Sequence, residues 1–164
     1  MPDPTIRPAC PEDADAIWQI LHPVFSSGRT YAIDPHITRE DALRYWTGGT
    51  HRAFVALKGT RILGTYYIRP NQGGNGDHIC NCGYMTAPQA QGKGLARRML
   101  AHSLQEARAM GFAAMQFNFV LANNARALDI WTRAGFHEIG RIPDAFRHPD
   151  DGLIDACILY KPLT

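Results

Sequence analysis

Tyr84 to Met110 reads Y-M-T-A-P-Q-A-Q-G-K-G-L-A-R-R-M-L-A-H-S-L-Q-E-A-R-A-M. A short apolar run ends at Thr86, and Pro88 stops it, because proline lacks a ladder donor and restricts its predecessor. Gln91-Gly92-Lys93-Gly94-Leu95-Ala96 follows. Residues Leu95, Met99, Leu100, Ser103/Leu104 and Ala107 then recur at the spacing of one helix face, and Gly111 is placed to end that helix. The order is strand, glycine-bearing turn, long helix. The opening N–H groups of a helix have no internal partners and lie at the positive end of its dipole. Glycine lets an anion come close to the backbone, so the turn reads as a cradle for a diphosphate. Lys93, Arg97 and Arg98 add positive charge around it. Neither G-x-x-x-x-G-K-[ST] nor G-x-G-x-x-G is present, which sets aside the two common nucleotide loops.

Outward from this stretch the chain alternates between strand and helix patterns. Thr5 to Arg7 reads as a first strand and Pro8 to Pro11 as a turn. Glu12 and Asp13 open a helix carrying Ile17, Leu21 and Val24 to about Phe25, and Ser26 to Tyr31 form a loop. Thr38 and Asp41 make an [ST]-x-x-[DE] start for a second helix, which Gly48-Gly49 ends. Arg52 to Leu57 and Ile62 to Ile68 are strands joined by a hairpin-type connection, followed by a glycine-rich loop from Asn71 to Gly76. His78 to Thr86 and Ala113 to Leu121 are the strands on either side of the long helix. Asn123 or Asn124 caps a last helix with Ala127, Leu128 and Trp131 on one face. Phe136 to Ile142 and Leu153 to Tyr160 form a closing strand pair, with Pro143 to Gly152 as the loop between them. The pattern is an α/β domain, expected to be a single unit over residues 1–164.

Bulk properties narrow the function classes. The length of 164 residues suits one domain with a sizeable core, and an apolar content of 45% argues against disorder. A formal charge of +2 with no basic run gives no case for nucleic acid. The 4 cysteines lack regular spacing and point to a reducing compartment rather than a disulfide framework. Cys80-Asn81-Cys82 has no second Cys/His pair nearby and reads as two strand residues, so no metal is expected. No stretch has the length and apolarity of a membrane span, and Met1 to Pro11 lacks a signal-peptide core. A cytoplasmic protein without membrane contact is the expectation.

Gln91-x-x-Gly94-x-Ala96, entered from a strand and leaving into a long helix, resembles the acetyl-CoA signature of the GCN5-related N-acetyltransferase (GNAT) family. A second resemblance lies about thirty residues on, where Asn124-Ala125-Arg126-Ala127-Leu128-Asp129-Ile130-Trp131-Thr132-Arg133-Ala134-Gly135-Phe136 looks like that family's N-x-x-A-x-x-ϕ-Y-x-x-x-G-F helix. The likeness runs from Ile6 to Leu159. It implies a mixed, mostly antiparallel sheet whose two central strands are parallel and splayed, flanked by helices. It also implies acetyl-CoA as cosubstrate. The pantetheine arm would pair with backbone near Tyr84, Met85 and Thr86, the pyrophosphate would rest on amides of Gln91 to Ala96, and Asn124 would touch the arm while capping its helix. Where the family commonly has a tyrosine that protonates the departing sulfur, this chain has Trp131. An indole N–H donates but is no useful acid, so Trp131 either walls the thioester pocket, donates a weak hydrogen bond, or is a core aromatic.

The acceptor side rests on two asparagines that interrupt apolar strands, Asn81 in H-I-C-N-C-G-Y-M and Asn118 in M-Q-F-N-F-V. A buried amide needs partners, so each either binds backbone or faces a polar ligand. Neither can act as a base, but both can orient an amine or a carboxylate. His78 to Gly83, with Phe117 to Val120 and Asn124, is similar to the yeast subgroup that acetylates proline analogues such as azetidine-2-carboxylate, where the matching asparagines lie in the substrate site. Gly28-Arg29-Thr30-Tyr31-Ala32 resembles a loop of phosphinothricin-type acetyltransferases. Arg29 is a candidate for a substrate carboxylate, and Tyr67 for the acceptor wall; Tyr84, His78, Arg147 and His148 are weaker candidates. The expected activity is direct acetyl transfer to a small amine, an amino acid or its analogue. A protein or peptide acceptor, or an acyl-CoA-binding module without turnover, stays open. Family members often pair, so a homodimer is a further expectation.

Overall fold

The computed structural model describes residues 3–164. Strands β1 (Thr5–Pro8), β2 (Arg52–Lys58), β3 (Arg61–Pro70), β4 (Ile79–Thr86), β5 (Ala114–Leu121), β6 (His137–His148) and β7 (Gly152–Pro162) form one sheet in the order β1-β2-β3-β4-β5-β7-β6. Every neighbouring pair is antiparallel except β4 and β5. The helices are α1 (Ala14–Ser27), α2 (Arg39–Thr47), α3 (Leu95–Ala109) and α4 (Ala125–Arg133). None is long and apolar enough to cross a membrane.

The sheet's alternation sorts the core into two layers. Met99, Leu100 and Ala107 of α3 pack with Tyr66, Cys80, Cys82 and Phe117 on one face, with Leu128 and Trp131 of α4 beside them. Ile17, Leu21 and Phe25 of α1, with Ala42 and Trp46 of α2, cover Val55, Tyr67 and Met85 on the other. The local signals behave as their chemistry predicts. Thr38 Oγ1 accepts from Asp41 N–H at 3.1 Å, and Asn124 Oδ1 accepts from Ala127 N–H at 3.2 Å, so Asn124 rather than Asn123 is the cap.

Several boundaries shift by a residue or two from the sequence reading, and two of the differences have a clear physical cause. Helix α1 runs to Ser27, where Gly28 closes it in the left-handed region with φ 63. The expected loop from Pro143 to Gly152 is mostly strand: β6 continues to His148, and only residues 149–151 turn. Pro143 does not end β6 because β6 is an edge strand, where a missing ladder donor is tolerated. The irregularity is absorbed as a bulge between Ile142 and Phe146, with Asp144 at φ 50.

Under the sheet's α1/α2 face, Trp46 Nε1 donates to Thr65 Oγ1 at 3.0 Å, and Thr65 donates onward to Phe54 O at 2.8 Å. Both side chains are fully buried. Thr65→Val keeps the shape but strands the indole N–H, so it should lower the unfolding free energy by about 1–3 kcal/mol. Urea titration reads this directly, and an unchanged midpoint would mean the indole has another partner.

Candidate functional site

The site begins where two strands part. Strands β4 and β5 pair only at Ile79↔Ala114 and Cys80↔Met115. At the next position Asn81 Nδ2 donates to Gln116 O at 2.9 Å, a side-chain amide standing where a backbone rung would be. Beyond it one edge of β4 is open. Asn71 N–H donates to Ile79 O and Ala87 N–H to Leu63 O, so odd-numbered residues of β4 turn their backbone to β3. The same alternation leaves the backbone groups of Cys82, Tyr84 and Thr86 on the edge facing the gap. Of the three expected backbone contacts, Tyr84 and Thr86 are thus on that edge, while Met85 bonds toward β3 and buries its side chain under α1. Tyr31 O–H donates to Tyr84 O at 3.1 Å.

The gap opens into a cleft of about 660 Å³ that reaches the start of α3. Gly92 and Gly94 hold φ of 76 and 80, the left-handed region that a side chain disfavours. No side chain caps α3, and the first bond of this turn is Arg98 N–H to Gly94 O at 3.2 Å. Gln91, Gly92, Gly94, Leu95, Ala96 and Arg97 line the cleft on one side, and Asn124, Arg126 and Trp131 line it on the other. The unsatisfied helix-start amides, with the guanidinium groups of Arg97 and Arg126, make this a surface whose chemistry suits a diphosphate. Lys93 lies elsewhere: it lines a separate cavity with Lys58, Arg61 and Arg98, and Arg98 pairs with Asp3 at 2.6 Å. Successive residues of a tight turn face different sides, so the charge counted at Lys93 and Arg98 in the sequence is not in the cleft. Arg126 takes its place. It was not singled out in the sequence, although its position two residues past the Asn124 cap puts it in the first turn of α4.

A second cavity of about 310 Å³ continues from the cleft, and Tyr31, Tyr84, Asn124 and Trp131 belong to both. Tyr67, Asn81 and Asn118 line it. Asn81 is 6% exposed, and its Oδ1 accepts from Arg69 Nε at 3.1 Å. Asn118 Nδ2 donates to Asn71 Oδ1 at 2.6 Å, and its Oδ1 accepts from Gln116 Nε2 at 3.0 Å. Tyr67 sits against Trp46 and His51 with ring centroids 4.8 and 4.5 Å away. Burial pushes the Tyr67 and Tyr84 phenols far above their usual range, so both stay neutral. Tyr84 O–H meets Ser103 Oγ at 2.6 Å, on the α3 side of the sheet.

Other candidates fall outside this cavity. Arg29 lines the cleft, ion-paired with Asp150, rather than the smaller cavity. His78 is exposed and belongs to neither lining. His148 Nδ1 accepts from the backbone N–H groups of Asp150 and Asp151, which ties down the β6–β7 turn. Trp131 packs on Tyr84 and Phe117 with centroids 5.2 and 4.9 Å away, and among the described residues its Nε1 has no hydrogen-bond partner. Among those residues no three His, Cys, Asp or Glu side chains gather as a metal site would require.

The acetyltransferase (GNAT) family matches this chain over residues 14–136. The N-acetyltransferase aca1 of Schizosaccharomyces pombe is 32% identical over 148 residues, covering 80% of this chain and 71% of that protein. A GCN5-related N-acetyltransferase from Kribbella flavida superposes with a TM-score of 0.92 at 34% identity, over 97% of both chains. A phosphinothricin acetyltransferase from Sinorhizobium meliloti, solved in complex with AcCoA, gives a TM-score of 0.86 at 20% identity, over 98% of this chain and 89% of that one; this second likeness is one of fold. The chain belongs to the GNAT acetyltransferase family.

The cavity depends on a missing side chain. A Cβ at Gly83 would lie 2.7 Å from Tyr67 Cε1 and 3.0 Å from its hydroxyl. The ring is packed against Trp46 and His51, so moving it aside disturbs that packing. Gly83→Ala should therefore cost about 1–3 kcal/mol of stability, seen as a lower urea midpoint. A midpoint equal to wild type would show that the ring moves freely.

Proposed function

We propose that this chain is an acetyl-CoA-dependent N-acetyltransferase that transfers the acetyl group directly to a small amine, an amino acid or an amino-acid analogue. The observation that carries this reading is the continuity of two differently built spaces. A long cleft ends on helix-start amides, and a small cavity holds amides and aromatic rings. Tyr31, Tyr84, Asn124 and Trp131 stand at their junction.

Acetyl-CoA, when bound, supplies the acetyl group as a thioester. The amides opening α3, with Arg97 and Arg126, suit its diphosphate. The edge of β4 at Cys82, Tyr84 and Thr86, left unpaired by β5, offers backbone partners to an extended arm in the manner of an added strand. An N–H on that edge is also available to a developing oxyanion. Trp131 closes the junction with an aromatic face; lacking an acidic proton, it leaves protonation of the sulfur to water or to a hydroxyl at the junction. Asn81 and Asn118 orient the acceptor from the far wall. The cavity's size favours a small molecule over a protein segment, and no carboxylate lines it to attract a polycation.

Replacing both Asn81 and Asn118 by alanine should abolish thiol release from acetyl-CoA with free amino acids, while calorimetric binding of CoA stays within a few-fold of wild type. Melting curves check that the fold survives the loss of the Asn81 bridge. Unchanged turnover would remove both residues from the acceptor site, and CoA binding without release for any amine would reduce the protein to a binding module.

A further inference from the structure

Arg69 is the one cation in the lining of the smaller cavity, and that lining contains no Asp or Glu. It stands opposite Asn81 in the β3–β4 register. Its Nε donates to Asn81 Oδ1 at 3.1 Å, and Asn81 is itself fixed by Nδ2 to Gln116 O at 2.9 Å. No acidic side chain pairs with Arg69 among the described residues. Its charge is therefore half-buried, held from behind by a neutral amide and not compensated. Its effect reaches further into the fold: burial, and next the charge of Arg69, hold His51 below its ordinary range. A desolvated guanidinium without a counter-ion is costly. Its remaining N–H groups form the planar fork that carboxylates match.

We infer that Arg69 anchors the carboxylate of the acetyl acceptor, with Asn81 as its positioning residue, so that the cavity selects small amines bearing a carboxylate over simple amines, peptides and amino-acid amides. This rests on the smaller cavity being the acceptor side of the transfer site. The geometry separates Arg69 from Arg29, which is already neutralised by Asp150 and lies in the cleft. It also gives the asparagines a division of labour. Asn81 spends its carbonyl on Arg69 and its amide on Gln116, while Asn118, held by Asn71 and Gln116, is the second amide in the lining to meet the acceptor. The carboxylate belongs to the acceptor rather than to an acyl donor such as a succinyl thioester, because Arg69 does not line the cleft.

The test uses glycine, L-alanine, L-proline and L-methionine, each with its carboxamide, against wild type, Arg69→Met and Arg69→Lys. Thiol release and calorimetric binding in the presence of CoA are both read. Wild type should prefer the acids over the amides by roughly 10- to 100-fold. Arg69→Met should lose that preference by weakening the acids far more than the amides, and Arg69→Lys should recover part of it. Equal losses for acids and amides, or a wild type indifferent to the carboxylate, would overturn the assignment. So would a preference for succinyl-CoA over acetyl-CoA that disappears in Arg69→Met. Calorimetry separates this outcome from the catalytic reading: carboxylate-dependent binding lost in Arg69→Met upholds the anchor even where no amine releases CoA, a result that would sink the enzymatic proposal alone.

Discussion

Two neighbouring strands that begin in register and then part leave backbone groups on both edges without a ladder. In a folded interior such groups must find partners. Strands β4 and β5 share two paired positions, and the chain covers part of the debt locally. Asn81 bridges to Gln116 where the next rung would fall, and the Tyr31 hydroxyl takes the carbonyl of Tyr84. What stays open is a polar edge along a cleft, lined further on by the unpaired start of α3. The candidate site is a consequence of this one departure from regular pairing, and the helices on both faces hold it in place. α3 and α4 press on the face of Cys80, Cys82 and Phe117, and α1 and α2 press on that of Tyr67 and Met85.

Charge and polarity are distributed along that gap rather than spread around it. Arg97 and Arg126 flank the cradle end, and Arg69 stands in the far cavity. Between them lies an aromatic wall in which Trp131 touches Tyr84 and Phe117, and Phe117 stacks on Phe136 at 4.4 Å. The phenols near the junction are kept neutral by burial. The junction presents hydrogen-bond donors and neutral rings, and the lining of the smaller cavity holds no side-chain carboxylate. In the proposed reaction the acceptor's proton leaves through water or hydroxyls.

The features legible in the sequence were those set by neighbours along the chain. The strand–turn–helix around Gly92 and Gly94, the Thr38 and Asn124 caps, and the spacing of α4 all depend on residues within a few positions of one another. Features that depend on strand pairing were not legible. Asn81 and Asn118 stood out because an amide interrupts an apolar run, but their partners Arg69, Gln116 and Asn71 come from register across strands. Arg69 carries no signal in the sequence for the same reason: a strand-end arginine looks solvated until its opposite residue, here Asn81, is known. Pro143 misled because its effect depends on whether a strand is central or at an edge, which only the sheet order decides. Lys93 is adjacent to the cradle in sequence but faces a separate cavity, because successive residues of a tight turn point to different sides.

The claim beneath all of this is that the amides opening α3, together with the free edge of β4, hold the diphosphate and arm of CoA. Titrating CoA into isotope-labelled protein while following backbone amide resonances tests it most directly. The largest shifts should fall on residues 92–97 and on Cys82, Tyr84 and Thr86, with slow exchange at tight binding. Shifts concentrated instead around Lys58, Arg61 and Lys93, with the α3 start unmoved, would contradict it.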